Sequence, residues 1–461
     1  MCLIDGTHLS SQLASRACPA CSPLTFTESD NITPSLLMKS QTPSVTKTRH
    51  PWIQRAVLSC ITVLLQSVLV AQSLPPMLDL HGVGQDPTLI EYAKLPVLKG
   101  EHGLVTAGHK DERGMQAQIF DRADLNDPTK WNFRLHSYLA HFDGQYWAMW
   151  SHGRLVEDHP TQHLRYATSR DGLKWSEAQL LAGPPERDGF RFIARGLWVR
   201  EGKLLALASH DEAYTEGRVH FFGPSLDLRA WEWQPQTREW KALGVIADGA
   251  INNFPPRLMP NGQWAMICRP PDYTRSVFLL SGGLASPSSW KRSPIVTETP
   301  ADGFRPEEPD WWALPDGRLI GLFRDNNRSG RFYRAISTDN GLNWTAPEKT
   351  NFPDATSKFF CLRTSRGYYV IVSNTDPKGR NPLALSASDD GVTFTRMGRL
   401  PIPVTREGGD FDSRHASGSV QYPHVMEHKE HLYVTYSRNK TSIEVIRVSL
   451  DEVDRLRRGR L

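Results

Sequence analysis

The chain has 461 residues, 39% hydrophobic and 23% charged, with 34 Gly, 33 Pro and 14 Trp. That balance excludes a disordered chain and leaves room for one large or two ordinary domains. The formal net charge is +4, from 54 basic and 50 acidic residues without long like-sign runs, which excludes the concentrated basic face of a nucleic-acid binder.

Residues 1–73 read as a leader outside the fold. Lys39, Lys47, Arg49 and Arg55 follow Met38, an apolar run spans Ala56 to Ala71, and Ala71-Gln72-Ser73 has the small-x-small pattern of a secretory cleavage site. The run of 16 residues is shorter than the roughly 20 of a spanning helix. A signal peptide over about 38–73 is expected, with an uncleaved anchor as the alternative, and hence a secreted or periplasmic protein. Cys18-Pro-Ala-Cys21 lies upstream of that segment and is read as incidental. Beyond residue 73 the chain is nearly neutral, with 49 basic and 47 acidic residues, and keeps only Cys268 and Cys361. An oxidising compartment would allow these two to pair, and burial would leave them as free thiols.

Residues 74–102 read as a linker. From there no segment sustains a helical apolar stripe, whereas short β-branched and aromatic runs recur between Gly, Pro, Asn and Asp. A turn precedes an apolar strand at Asp143-Gly144, Glu201-Gly202, Asn261-Gly262, Asp316-Gly317, Arg366-Gly367 and Lys429-Glu430. The second turn residues are separated by 58, 60, 55, 50 and 63 residues, so six units of nearly one length are present. Repeats of this size with several strands each predict an all-β, six-bladed β-propeller over residues 103–455, followed by a tail at 456–461. The segment Gly103 to Phe120 is expected to lend a strand that closes the ring against the last blade, since an unpaired blade edge invites aggregation.

A second repeat lies in the turns. Ser337-Thr338-Asp339-Asn340-Gly341-Leu342-Asn343-Trp344 reads S-x-D-x-G-x-x-W, Asp389-Asp390-Gly391-Val392-Thr393-Phe394 repeats its second half, and Ser169 to Trp175 is a version one residue shorter. In each the Asp can bond its own turn, the Gly permits positive φ and the aromatic packs beneath, so the boxes are structural.

These turns look like the Asp-boxes of the sialidase superfamily, which the chain resembles from about Arg134 to Arg447. The resemblance implies a pocket in which three arginines clamp a substrate carboxylate, a Tyr paired with a Glu is the nucleophile and an Asp is the acid/base. Arg134-Leu135-His136-Ser137, ahead of the first hairpin, resembles the strand carrying the first arginine, with His136 where the family has proline. Glu308-Pro309-Asp310 with Trp311 and Trp312 is similar to the strand opened by the catalytic Glu, and Arg324 ends the next strand in the place of the second arginine. Arg380 is similar to the third, and Tyr422 in Gln421-Tyr422-Pro423-His424 to the nucleophile. At the head of the second blade, Ile193 to Trp198 holds no carboxylate in register, and Asp188 in the preceding loop is the expected substitute.

The chemistry is coherent by itself. Converging guanidinium forks match a planar carboxylate, and a neutral tyrosine avoids the repulsion that a carboxylate nucleophile would meet from an acidic sugar. The expected function is exo-hydrolysis of a sialic-acid-like terminal sugar, with an acidic glycan or polysaccharide as substrate and a monomer as the working form. A second reading is a lyase or rhamnosidase-type enzyme acting at uronic acids, in which His136, His141, His152, Arg195, His210 and Tyr214 supply base, acid and charge neutralisation. A third is a sugar-binding propeller without catalysis that stacks sugars on Trp147, Trp150, Trp198, Trp311 and Trp312, positions that equally suit blade core. No cofactor or metal is expected, since His159 and His163 lack a helix or carboxylate motif to complete a site.

Overall fold

The structure is a computed structural model that describes residues 74–80, 84–106, 133–154, 157–160, 162–215, 218–272, 276–297, 302–404 and 418–461. The leader, with its apolar run and Cys18 and Cys21, lies outside the described residues, as does the closing segment beyond Thr106.

Six sheets of antiparallel strands make six blades. The first runs outward from Phe133–Phe142 through Gln145–Gly153 and His163–Ser169 to Gln179–Ala182. The second starts at Phe190–Arg200, the fourth at Pro306–Ala313, the fifth at Phe360–Arg363 and the sixth at Val420–His428. In the third the inner strand is split into Ile251–Asn252 and Arg257–Leu258, both paired with Trp264–Arg269. Five of the six expected turns are Gly-containing hairpins at positive φ, and at the sixth Lys429 and Glu430 take positive φ without glycine.

Ring closure follows the expectation from edge protection. Glu101–Thr106 pairs with Ser442–Ser449 and is the outermost strand of the sixth blade, with Gly103 and Val105 buried. Two boundaries differ from the sequence reading. Residues 74–98 are no slack linker: Met77, Leu78, Leu80 and Ile90 are buried against Trp312, Phe352, Phe359 and Phe394, and Leu78 and Val97 bridge to Phe394 and Arg399. Enough apolar side chain is present to hold this strap on the fourth and fifth blades. The expected tail likewise begins later, because a helix spans Leu450–Arg457, capped by Ser449 accepting from the Glu452 amide and packing Leu450, Val453 and Leu456 inward.

The Asp-boxes staple blades together. Ser337 Oγ donates to Asp339 and accepts from the Gly341 amide, while Asp339 accepts from the Asn343 amide at 2.9 Å. Gly341 has φ +81°, and a Cβ there would lie 2.4 Å from Leu279 of the preceding blade. Cys268 and Cys361 are buried free thiols in the third and fifth blades, which answers the open question of their pairing. Among the described residues no helix is long and apolar enough to cross a membrane.

Candidate active site

The inner strands break register near their first residues, and each break leaves a buried residue unpaired in the ladder. The ladder skips between Leu135 and Tyr138, Ala194 and Gly196, Glu307 and Asp310, and Gln421 and Tyr422's neighbour His424. His136, Arg195, Glu308 and Tyr422 occupy those bulges. His136, Glu308 and Tyr422 have φ of 53°, 43° and 61°, a left-handed conformation that side chains rarely adopt. Pro309 and Pro423 help to dictate the break, because a residue without an N–H cannot continue the ladder.

These bulges put opposite charges and a hydroxyl side by side. Glu308 is paired with Arg324, and its charge acts on the Tyr422 hydroxyl nearby. Arg324 also donates to Asn326 at 2.9 Å, while Arg380 donates to Gln421 and to the Thr356 carbonyl and lies 5.3 Å from the centre of the Tyr422 ring. Arg324, Arg380 and Tyr422 line one cavity of about 680 Å³, whose wall also carries Lys440, Arg328, Arg331 and Lys378. Burial alone would raise the Glu308 carboxyl, but Arg324, Lys358 and Arg380 outweigh it and hold Glu308 below its usual range, as a carboxylate. Burial and the Glu308 charge push the Tyr422 phenol well up, so it is neutral at rest.

The sequence reading missed several residues. Lys358 opens the inner strand of the fifth blade, the same place in the repeat as Glu308 and Tyr422, and that periodic position was the available signal. It is buried, donates to the Tyr138 hydroxyl at 2.8 Å and lies 4.4 Å from the Phe254 ring centre. Burial lowers its pKa to about 7. Glu157 and Asp158 reach the cavity from the loop after Gln145–Gly153, where no periodicity marks them. Glu157 is paired with Lys440 at 2.8 Å, and burial raises Asp158 to about 6 despite an ion pair with Arg191 at 3.0 Å. Asp354 also lines the cavity and is raised by burial to about 7, but its two oxygens accept from the amides of Asp325 and Thr356.

Other expected residues fall elsewhere. Asp188 is exposed in its loop and is not among the cavity residues, which corrects its placement at the site. Arg134 is buried and is not among the cavity residues, which corrects its placement in the clamp; its guanidinium lies 3.4 Å from the Thr441 carbonyl, and burial and Arg165 lower its pKa to about 10. His136 packs 5.3 Å from the Tyr422 ring, with Nδ1 on Ser151 and Nε2 facing Glu157. Arg195 donates to Ser209 at 2.7 Å and lies over Phe222. His141 stacks on His428 at 3.7 Å at the hairpin end of its strand, His152 packs on His163, His210 stacks on Phe190 and Tyr214 is exposed beyond the second blade. Of these groups His136 and Arg195 stay close enough for the Arg195 charge to act on His136, whereas His141, His152, His210 and Tyr214 lie elsewhere. Trp147, Trp150, Trp198, Trp311 and Trp312 are all buried within blades.

The strap completes the site, since Pro87, Thr88, Ile90 and Tyr92 form one wall of the cavity. The Tyr92 hydroxyl anchors that wall by donating to the Thr375 carbonyl.

Comparison with known proteins agrees with this architecture. A family model described as a BNR repeat-like domain matches residues 144–434. No curated protein matches the sequence. Among solved structures, NanB sialidase from Streptococcus pneumoniae is similar at 12% identity and a TM-score of 0.53, with 73% of this chain and 70% of that one covered. Trypanosoma rangeli sialidase in complex with the inhibitor DANA is similar at 16% identity and 0.53, over 70% and 56%. A protein of unknown function from Dyadobacter fermentans is similar at 14% and 0.52, over 76% and 98%. The chain spans 34% of the length of a further sialidase. At such identities the likeness is one of fold.

Proposed function

The chain belongs to the BNR repeat-like domain family, and we propose that within it this sialidase-like propeller is an exported glycoside hydrolase removing an acidic, sialic-acid-like terminal sugar. The observation that carries the reading is one cavity bearing Arg324, Arg380, Lys440, Tyr422 and Asp158, with the buried Glu308–Arg324 pair beside Tyr422. The cations would hold the sugar carboxylate. Tyr422 Oη attacks the anomeric carbon as its proton passes to Glu308, and the Asp158 carboxyl protonates the departing glycosidic oxygen. Asp158 then takes a proton from water, the hydroxide attacks the anomeric carbon, and Tyr422 leaves and recovers its proton from Glu308. The net change is addition of one water across the glycosidic bond. Asp158 replaces Asp188 as acid/base because it lines the cavity and burial raises its pKa to about 6, so that it holds a proton into mildly acidic pH.

The lyase reading has less support: both ring nitrogens of His136 face protein groups, and the other histidines named for it stand away from the cavity. The test is a substrate screen with the purified protein. Release of 4-methylumbelliferone from its α-sialoside is expected. A new ultraviolet-absorbing unsaturated product from uronate polymers would replace this reading with the lyase, and binding without turnover would replace it with a lectin-like module.

A further inference from the structure

Arg191, at the head of the second blade, is fully buried and all three of its guanidinium nitrogens are engaged. Nε and NH2 donate to the two oxygens of Asp211 at 3.0 and 2.9 Å. NH1 donates to the Asp158 carbonyl at 2.9 Å and pairs with its carboxylate at 3.0 Å. NH2 also donates to the Phe221 carbonyl at 2.6 Å. Asp158 and Phe221 are cavity wall, from a first-blade loop and a second-blade loop, while Asp211 ends a strand and accepts from the Gly223 amide. One side chain therefore ties two walls of the cavity together.

We propose that Arg191 is the positioning residue of the proton donor: a guanidinium shared between Asp158 and Asp211 that fixes the Asp158 carboxyl in the cavity wall and locks the Phe221 loop beside it. This rests on the hydrolase reading above. Sharing matters chemically, because a guanidinium given wholly to Asp158 would hold it as a carboxylate, unable to protonate a leaving group. The groups facing Asp158 are Arg191 and Lys440, which favour its charge, and Glu157 and Asp211, which oppose it; burial adds to the second side, and the pKa settles at about 6. Lysine cannot take over, since its single nitrogen cannot bridge both carboxylates and the Phe221 carbonyl.

The full-chain protein and two variants, Arg191→Lys and Asp211→Asn, would be assayed on an aryl sialoside, whose leaving group needs little protonation, and on sialyl-lactose, whose sugar alcohol needs it. Arg191→Lys is expected to lower kcat/KM for sialyl-lactose about 10-fold or more beyond its effect on the aryl substrate. Asp211→Asn keeps the shape, removes the like charge and is expected to shift the alkaline limb of the pH profile to lower pH. Equal losses on both substrates, together with an unmoved alkaline limb, would overturn the proposal while leaving the hydrolase intact. If Arg191→Lys does not fold, the limb shift in Asp211→Asn decides by itself. No turnover of either substrate by the unaltered protein would overturn the hydrolase reading and this proposal with it.

Discussion

The two ends of the blades handle the left-handed backbone conformation in opposite ways. At the Asp-box end, Gly172 and Gly341 adopt it without penalty, and Ser and Asp side chains satisfy the turn locally. At the cavity end, His136, Glu308 and Tyr422 adopt it although each has a Cβ, and their partners lie outside the bulge itself: His136 meets Ser151 and Glu157, and Glu308 pairs with Arg324 on the next strand. Strain of this kind costs about 1–3 kcal/mol per residue and persists where the surroundings over-determine it. Relaxed turns hold the ring, and strained bulges aim the chemistry.

The sharpest test of that contrast is Tyr422→Phe, which keeps the bulge and removes only the hydroxyl. Turnover is expected to fall about 1,000-fold or more while binding, read by calorimetry, survives. Near-normal turnover would end the nucleophile assignment.

Glu308→Gln should affect both activity and folding. It leaves Arg324, Lys358 and Arg380 without their shared carboxylate, and removing one member of a buried ion pair costs about 3 kcal/mol or more. A urea midpoint equal to the parent's would show that the cations find other partners.

At the opposite end, Gly341→Val should destabilise by about 2 kcal/mol through its positive φ and the 2.4 Å approach to Leu279, with KM unchanged. A changed KM with unchanged stability would contradict the separation of the two ends.

A further effect is expected in the pH dependence of stability through Lys358. Burial lowers its pKa from 10.5 to about 7, so between those values the unfolded chain binds more protons than the folded one. Its contribution to stability therefore improves as pH rises through that window, and the penalty is full below it. Thermal melts of parent and Lys358→Met should show the difference moving in the parent's favour between about pH 7 and 10. A constant difference would place the Lys358 proton elsewhere.

Much of this molecule was legible in the sequence because the signals are local. Hairpin turns at regular spacing and three box-like turns sufficed for an all-β, six-bladed ring, and its edge rule for the closing strand near Gly103. Glu308 and Tyr422 were singled out because their strands resemble those of the sialidase superfamily, and both fall at bulges of inner strands. Asp188 and Arg134 show where such reasoning stops: both stand at plausible distances along the chain, yet neither is among the cavity residues, one facing solvent and the other buried. Lys440, Asp158, Arg191 and the strap residues Pro87 to Tyr92 meet at the cavity from loops and ends of different blades. Closure of the ring alone brings them together. Loop positions carry no periodicity, and whether a carboxyl keeps its proton depends on burial and on charges from segments far away in the chain, so sequence determined the scaffold and tertiary structure decided the chemistry.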